Sequence, residues 1–364
     1  MDIDAYLRNQ KERMGKETEQ VADPSIFDFN YIPDQPLMRD ECKPLIDAML
    51  RFDLTGIPTH LAVIGSRGSG KTLTLKFLQR IVPQQTGLSV VYANCRHHNT
   101  SFKILAHLLN LEARGASLAE LFDRFCASCQ NRRIVVLDEV DLMSFKDRRR
   151  EILYLLSRSE RPFMVIMLSN SPHVLKELDA ATRSSLQPRL VHFRNYNAEQ
   201  IHEILRERAR KGLKQWDDGR LAEIAALTTR NTNADTRVAI KTLCYSVTES
   251  ATEVVACFEQ ARQDIVVDLI NDLSSHALMI LWAVANSPSD FAKDIYQRYC
   301  RFSQSQKEKP FSYVYFYSNL SYLQSAGLIA LISAKVDKAY TNRVLLTFDR
   351  SILEPICRFR FDPQ

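Results

Sequence analysis

A glycine-rich segment in a glycine-poor chain is the clearest sign of chemistry in this sequence. The chain has 364 residues and only 10 glycines, and three of these lie between positions 65 and 70. Residues 65–72 match G-x-x-x-x-G-K-[ST] without a mismatch, between a predicted strand and a predicted helix. In such a loop the backbone N–H groups converge on phosphates, which requires positions without side chains. The motif therefore predicts a binding site for the phosphates of a nucleotide.

The residue types of this loop suit ATP or ADP together with Mg²⁺. Lys71 is expected to reach the terminal phosphates, and the hydroxyl of Thr72 is expected to bind Mg²⁺. The helix that begins near Lys71 adds the positive end of its dipole. A chance glycine-rich turn is the alternative, and the strand and helix on either side argue against it. The expected phosphate-binding residues are Gly65, Ser66, Arg67, Gly68, Ser69, Gly70, Lys71, Thr72 and Leu73.

Acidic and amide side chains at the ends of two apolar runs add the second half of a phosphoryl-transfer site. The run at 133–138 ends in Asp138 and is followed by Glu139. Asp138 is expected to hold the Mg²⁺ shell, and Glu139 to orient and polarise the attacking water. Acidic residues at a strand end are otherwise common as caps or surface charges. The phosphate loop is what makes the catalytic interpretation of Asp138 and Glu139 specific. Asn170 ends another run, where it could bind the water and a phosphate oxygen or form an Asx turn.

Short apolar runs alternate with helical stretches through the first half of the chain. The runs lack polar alternation, which is typical of strands covered on both faces. The stretches between them are long enough for crossover helices. The pattern predicts an α/β layer with a mostly parallel sheet, whose five strands lie at 60–65, 88–93, 133–138, 163–168 and 190–193.

Strands are absent from the pattern between residue 196 and residue 327. Four helices are predicted there first, with Asn197 and Asp217 as N-caps, at 197–212, 217–229, 235–250 and 253–269. Three further helices and a hairpin follow, the winged-helix form of helix-turn-helix, at 274–285, 291–302, 312–326, 328–333 and 343–348. The predicted domains are a nucleotide-binding base at 1–195, a helical lid at 196–270 and a winged helix at 271–364.

Charge and composition narrow the possible partners. The net charge is +5, and the residues from 273 onward carry 11 Lys and Arg against 7 Asp and Glu, which favours a polyanion partner at that end.

No apolar run approaches the roughly 18 residues that span a bilayer, so no membrane is expected. The start of the chain resembles no targeting peptide, and the eight cysteines show no disulfide spacing. These features predict a cytoplasmic, nucleoid-associated protein with reduced thiols. Cys126 and Cys129 have metal-like spacing without a second pair and are expected to be core or edge residues.

The predicted helix at 312–326 is the expected recognition helix of the winged-helix domain. Tyr313, Phe316, Leu320 and Leu323 recur at helical spacing and are expected to face the core. The opposite face is poor in arginine, and its exposed tyrosines allow docking to a protein as the alternative. The expected DNA-binding residues are Arg298, Arg301, Ser312, Tyr315, Ser318, Asn319, Tyr322, Lys335, Lys338 and Arg343.

These motifs in this order resemble an AAA+ ATPase, and with the winged helix they resemble the archaeal replication initiators of the origin-recognition-complex and cell-division-cycle type. The segments that carry the resemblance lie at 31–33, 39, 65–72, 94–96, 100, 137–141, 168–170, 184–188, 195–197 and 234–237. The resemblance implies that Tyr31, Ile32 and Pro33 lie near the adenine. It also implies that Asn170 is a first sensor and that Arg237, on a lid helix, is a second sensor of the terminal phosphates.

The same resemblance implies an ATP-dependent initiator that binds double-stranded DNA at a replication origin and helps recruit or load the replicative helicase. A paralogous initiator on a neighbouring DNA site is a further candidate partner. Ser185 stands where some relatives have an arginine that reaches a neighbour's nucleotide. Slow, switch-like, Mg²⁺-dependent ATP hydrolysis is therefore expected. The alternatives are a regulator of promoters or of plasmid and viral origins that loads no helicase, and a nucleotide-switched protein-interaction scaffold.

Overall fold

The chain folds into two compact units. The computed structural model describes residues 2–112, 115–144, 147, 150–171, 174–176, 178–249, 253–336 and 339–361. Residues 30–195 form one unit, named the base unit. Residues 1–29 together with 196–364 form the other, named the helical unit. The sequence prediction had grouped residues 1–29 with the nucleotide-binding base, whereas this division groups them with the helices that follow residue 196.

A parallel sheet of five strands forms the centre of the base unit, as the apolar runs predict. The strand order is β2-β3-β4-β1-β5, and every neighbouring pair is parallel. All seven residues of the middle strand are buried, because helices cover both faces of the sheet. The strands are β1 (Leu61–Gly65), β2 (Ser89–Asn94), β3 (Arg133–Asp138), β4 (Phe163–Ser169) and β5 (Arg189–Phe193).

Helices pack on both faces of this sheet and close two separate apolar cores. Phe52 and Leu75 lie in the core on one face, and Phe125 and Leu153 lie in the core on the other. The carboxyl ends of the parallel strands therefore meet at one edge of a rigid layer, where α/β folds bind ligands. The helices are α2 (Lys43–Thr55), α3 (Lys71–Gln85), α4 (Ser101–Leu108), α5 (Leu118–Ala127), α6 (Glu151–Arg158) and α7 (Ala180–Leu186).

The helical unit begins with α1 (Ile3–Glu17) and continues after residue 196 with four helices. Asn197 accepts a hydrogen bond from the backbone of Gln200 in a capping box, and Asp217 accepts one from Gly219, so both predicted N-caps are confirmed. The four helices are α8 (Ala198–Gly212), α9 (Asp218–Asn231), α10 (Thr236–Thr248) and α11 (Val254–Asn271).

Three helices and a hairpin complete the winged helix that the sequence predicts. Gly327 ends the third helix with φ +79°, a conformation that favours glycine. A last helix after the hairpin was not predicted. The elements are α12 (Ser275–Asn286), α13 (Ala292–Ser305), α14 (Tyr313–Ser325), β6 (Ile329–Val336), β7 (Ala339–Leu346) and α15 (Leu353–Phe361).

The structure corrects the sequence prediction at three places in this region. Helix α13 runs to Ser305, three residues beyond its predicted end at 302. The hairpin strands pair from Ile329 with Leu346 out to Val336 with Ala339, so they extend into the segment 334–342 that lies between the two predicted strands. Tyr313 was predicted to face the core, but it is 42% exposed because it lies on the first turn of α14, at the rim of the core.

One apolar core spans the predicted boundary between the lid and the winged helix. It contains Phe258 and Ile265 from α11 together with Leu278 from α12, Phe316 from α14 and Leu353 from α15. The division of the chain into compact units does not separate the two predicted domains, and the boundary at residue 270 stays a prediction.

Candidate functional site

The phosphate loop leaves the end of β1 and enters α3 through a backbone that needs glycine. Gly70, at the N-cap of α3, has φ +84°, and Gly68 has φ +74°, both in the left-handed region. A Cβ atom on Gly65 would lie 2.5 Å from the carbonyl oxygen of Phe193 in β5. The predicted residues 65–73 thus form a loop with side chains excluded where the neighbouring strand approaches, followed by the first turn of α3.

Lys71 is buried at the centre of this loop. Its Nζ donates to the carbonyl oxygens of Gly65 and Ser66, each at 2.8 Å, and to Asn170 Oδ1 at 3.0 Å. Burial lowers the pKa of the Lys71 ammonium to about 8, while the carboxylate of Asp138 acts in the opposite direction. A cation held with so little water is well placed to balance phosphate charge.

Thr72 and Asp138 meet at the same edge of the sheet. Thr72 Oγ1 donates to Asp138 Oδ2 at 2.7 Å, and the Tyr92 hydroxyl donates to the same oxygen at 2.7 Å. Burial raises the pKa of the Asp138 carboxyl, although both hydrogen bonds act to lower it. A nearby cation would therefore stabilise its ionised form.

This pair of hard oxygen donors fits Mg²⁺, which usually takes one or two protein groups and completes its shell with phosphates and water. Within the described part of the chain, no three His, Cys, Asp or Glu side chains are arranged to hold a metal without such a ligand. The donor set of Thr72 and Asp138 thus suits a metal that arrives with a nucleotide.

Glu139 follows directly and is held by two residues from the end of β2. Its Oε2 accepts from Asn94 Nδ2 and from Arg96 Nε, both at 3.2 Å. Its backbone is left-handed, with φ +54°, which turns the chain sharply after β3. The sequence prediction assigned no role to Asn94 or Arg96. The sheet brings Asn94 beside the acidic residues, because it pairs in register with Asp138 on the neighbouring strand.

Asn170 is positioned by a residue that the sequence prediction also missed as a partner. Asp141 Oδ1 accepts from the Ser169 hydroxyl at 2.7 Å and from the backbone N–H of Asn170 at 3.3 Å. The turn after β3 therefore fixes the end of β4. The structure brings five predicted catalytic and metal-binding residues to one edge of the sheet, namely Lys71, Thr72, Asp138, Glu139 and Asn170.

Arg39 supports the loop from behind and is only 5% exposed. Its guanidinium donates to the carbonyl oxygen of Ser69 at 2.9 Å and to that of Arg194 at 2.7 Å, and it also pairs with Glu41 at 3.1 Å. Ser66 Oγ donates to Asn195 Oδ1 in the same region. The contacts to Arg194 and Asn195 join residues more than 100 positions apart, and the sequence alone gave no means to find these pairs.

The remaining residues that are predicted to contact the nucleotide lie partly in the base unit and partly in the helical unit. Tyr31 and Ile32 are half-buried and Pro33 is buried, in a base-unit segment whose neighbour Asn30 accepts from Lys76 of α3 at 3.3 Å. Arg237 belongs to the helical unit, at the start of α10, where its guanidinium pairs with Asp235. Their predicted roles toward adenine and phosphate stay predictions.

Ser185, which stands where some relatives have an arginine, and Cys129 of the base unit both make contacts within the protein. Ser185 Oγ lies 2.5 Å from Ser157 Oγ. Cys129 is buried and donates to the carbonyl oxygen of Phe125, and all eight cysteines are free thiols. Across the described ranges, no helix has both the length and the apolar character needed to cross a bilayer.

The predicted DNA-binding residues lie on α13, α14 and the hairpin. Arg298 and Arg301 are exposed on α13, and Tyr315 and Ser318 are exposed on α14. Ser312 caps α14 by accepting from the backbone N–H of Tyr315. Lys338 and the side chain of Lys335 lie outside what the structure describes.

Three predicted contacts are partly engaged within the protein. Arg343 forms an ion pair with Asp290 at 2.6 Å, which reduces its availability for phosphate. The Asn319 amide donates to the carbonyl oxygen of Tyr315 at 2.8 Å, and Tyr322 is half-buried against the core. In contrast, Val314 was not predicted as a surface residue and is 78% exposed.

The sequence and the fold of this chain are similar to those of several known proteins. A family model described as AAA domain matches residues 58–176, which include the phosphate loop and the ends of β3 and β4. The ORC1-type DNA replication protein 1 of Sulfolobus acidocaldarius is 29% identical over 287 residues, 70% of this chain and 70% of that protein.

Two solved structures from Aeropyrum pernix share the fold. The ORC1 protein, solved in complex with DNA, has a TM-score of 0.69 at 21% identity and covers 94% of this chain and 98% of that chain. The ORC2 protein, solved as ADPNP-ADP complexes, has a TM-score of 0.60 at 19% identity and covers 94% of this chain and 100% of that chain. The expected AAA+ base with a helical region and a winged helix is thereby confirmed.

Proposed function

Because this chain is a homologue of the archaeal ORC1-type DNA replication proteins and carries an AAA domain, we propose that it is an ATP-dependent, DNA-binding replication initiator. In this proposal it recognises replication origins and helps to recruit or load the replicative helicase. The observation that carries the proposal is the hydrogen bond from Lys71 Nζ to Asn170 Oδ1, beside the pair of Thr72 and Asp138.

The base unit binds ATP or ADP through its phosphate loop. The N–H groups of the loop and of the first turn of α3 surround the phosphates, and Lys71 balances the charge of the terminal ones. Thr72 and Asp138 hold Mg²⁺, which when bound screens the phosphate oxygens. Tyr31, Ile32 and Pro33 contact the adenine. The similar Aeropyrum pernix ORC2 protein was solved as ADPNP-ADP complexes, which supports nucleotide binding by this fold.

Hydrolysis depends on residues at the carboxyl ends of β3 and β4. Glu139 orients the attacking water and accepts its proton, and Asn170 holds the water or a phosphate oxygen. In this structure Oε2 of Glu139 accepts hydrogen bonds from Asn94 and Arg96, so the carboxylate is restrained by two protein donors and a water molecule would approach its other oxygen, Oε1. A general base restrained in this way supports slow, switch-like turnover. Arg237 contacts the terminal phosphates from the lid.

The winged helix supplies the contact with duplex DNA. Arg298 and Arg301 bind phosphates from α13, and α14 enters the major groove. The similar Aeropyrum pernix ORC1 protein was solved in complex with DNA, which supports this use of the fold. The similarity to proteins named as DNA replication proteins supports helicase recruitment as part of the proposal, and a paralogous initiator on a neighbouring site is a further proposed partner.

A binding series with the full chain tests the proposal. Lys71→Ala is expected to abolish binding of a fluorescent ATP analogue, whereas Lys43→Ala, at an exposed lysine of the same unit, is expected to keep it. Unchanged affinity in Lys71→Ala would refute the nucleotide site. Occupancy mapped across the genome of the source organism is expected at replication start sites, and occupancy only at promoters would favour a regulator.

A nucleotide-switched scaffold that binds a protein partner is the second candidate. It is favoured by the absence of charge on α14 and by the exposed rings of Tyr313 and Tyr315 on that helix. Salt-dependent duplex binding separates the two candidates, because only a DNA-binding surface releases counterions from phosphates.

A further inference from the structure

The recognition helix of this winged helix carries no charged side chain. From residue 311 to residue 326 the sequence contains no Asp, Glu, Lys, Arg or His. Basic residues flank it instead, with Arg298 and Arg301 exposed on α13 and Lys307 and Lys309 exposed in the connection to α14. The charge that attracts a polyanion therefore surrounds α14 but is absent from it.

The outward face of α14 is small and apolar at its amino end. Phe316, Leu320 and Leu323 are fully buried, and at 100° per residue the direction opposite to them is that of Val314 and Ser318. Val314 is 78% exposed, and the Ser318 hydroxyl bonds back to the carbonyl oxygen of Val314 at 3.3 Å. Two short side chains there allow the helix backbone to approach a partner closely.

The first turn of a recognition helix is the part that contacts base edges in this kind of fold. Ser312 caps that turn, and Val314 lies within it, between Tyr313 and Tyr315. Both tyrosines are 42% exposed, and as the sequence neighbours of Val314 they project about 100° to either side of it around the helix. This surface offers one methyl-rich contact near the helix N-terminus.

The side-chain chemistry of α14 excludes most base readouts. Guanine is read by Arg or Lys and cytosine by Asp or Glu, and α14 has none of these. Adenine is read by a two-point contact from Asn or Gln, and Asn319, beyond the first turn, already uses one of its two amide N–H groups on the Tyr315 carbonyl. Gln324 lies in the last turn, away from the amino end. Serine hydroxyls on α14 are compatible with several bases, so apolar contact with the 5-methyl group of thymine is the most base-specific readout that the first turn offers.

We propose that α14 discriminates thymine by its methyl group, with Val314 as the specificity-determining residue and the rings of Tyr313 and Tyr315 on either side of it. The phosphate contacts of Arg298 and Arg301 supply most of the affinity. The proposal deepens the proposed function and rests on its claim that the winged helix binds duplex DNA.

Replacing thymine by uracil in the DNA tests the proposal, because it removes only the methyl group. A duplex selected by the full-length protein from a randomised pool is the probe, remade with deoxyuridine at each thymine position in turn. At one or two positions we expect affinity to fall about fourfold, since burying a single apolar carbon contributes about that much.

Variants at position 314 assign the effect to the helix. In Val314→Ala the uracil penalty is expected to shrink below about twofold, whereas Val314→Thr, which retains one methyl group, should keep most of it. Val255→Ala is the matched control, since Val255 is an exposed valine of α11 in the same unit. The comparison of thymine and uracil in the unaltered protein needs no variant to fold.

The possible outcomes separate the inference from the proposed function. Salt-dependent duplex binding with equal affinity for thymine and uracil at every position overturns the thymine contact and leaves the initiator proposal standing. A uracil penalty that persists in Val314→Ala overturns the role of Val314. Absence of any salt-dependent duplex binding overturns both claims and points to a protein partner for α14.

Discussion

The guanidinium of Arg39 donates a hydrogen bond to the carbonyl oxygen of Ser69 across 2.9 Å, so a buried cation from before the first strand holds the middle of the phosphate loop. The same guanidinium donates to the carbonyl oxygen of Arg194, just beyond β5. The loop is thus fixed both by the strand that it follows and by a residue that reaches across the sheet edge.

Arg39→Ala is expected to weaken ATP binding about tenfold, which corresponds to about 1.4 kcal/mol. The loop would lose a charge-assisted hydrogen bond, a contact whose net contribution is typically about 1.5–3 kcal/mol. Titration calorimetry measures the effect, with Arg51→Ala at an exposed position of α2 as the control. Arg39→Lys should recover part of the affinity, because an ammonium can still reach one carbonyl. A folded Arg39→Ala protein with normal ATP affinity would contradict the supporting role.

Glu139→Gln is expected to leave ATP affinity within about threefold and to reduce phosphate release by roughly 100- to 10,000-fold, the usual contribution of a general base. The amide oxygen can still accept from Asn94, so the local structure should persist. Single-turnover hydrolysis measures the rate, with Glu151→Gln at an exposed residue of α6 as the control. Normal phosphate release from Glu139→Gln would exclude its catalytic role.

Joint replacement of Arg298 and Arg301 by Ala is expected to reduce the slope of log affinity against log salt by about 2, since each phosphate contact contributes about 0.9. Arg343→Ala is expected to weaken binding to all sequences by a smaller amount, because Arg343 is paired with Asp290. Anisotropy titrations at several salt concentrations measure the slopes. Arg220→Ala on α9 serves as the control for charge alone, and an unaltered slope in the double variant would remove α13 from the interface.

The buried imidazole of His60 is expected to lower the folding stability of the base unit at acidic pH. The backbone N–H of Val165 donates to His60 Nδ1 at 3.1 Å, and burial lowers the pKa of the imidazole to about 4. The pKa of His60 in the folded protein lies below its value near 6.5 in the unfolded chain, so the unfolded chain binds the proton more readily. The contribution of neutral His60 to the free energy of unfolding is therefore complete above pH 6.5 and is lost as the pH falls toward 4. Unfolding in urea at pH 7 and pH 5 should differ by about 2 kcal/mol from this group alone.

His60→Gln should flatten this pH dependence, since an amide oxygen accepts the same hydrogen bond without titrating. His192→Gln, at an exposed position of β5, is the matched control. An equal pH dependence in the wild-type protein and in His60→Gln would show that other groups dominate the acid sensitivity.

The chemistry that is local in sequence could be predicted from the sequence. Lys71 and Thr72 lie in one contiguous motif, and Asp138 and Glu139 lie at the end of one buried strand. The residue types and their spacing were therefore sufficient to predict these parts of the site. Arg39 and Asp141 act through partners 28 to 155 positions away, and only the order of strands in the sheet brings those partners together.

The errors in the winged helix have a different physical origin. Helical periodicity assigns faces correctly in the middle of α14, where Phe316 and Leu320 are buried, but it cannot show where the core ends. Tyr313 lies beyond that limit and is exposed. The two strands likewise stay paired beyond their predicted ends, out to Val336 and Ala339, and this backbone pairing leaves no apolar pattern in the sequence that could be used to predict it.

The apolar core shared by α11, α12, α14 and α15 makes residue 270 a poor place to divide the chain. A fragment ending there would leave Phe258, Ile265 and Leu269 without the side chains that cover them, and a fragment starting there would expose Leu278. Attempts to produce the carboxyl-terminal domain alone should therefore yield aggregation unless α11 is retained.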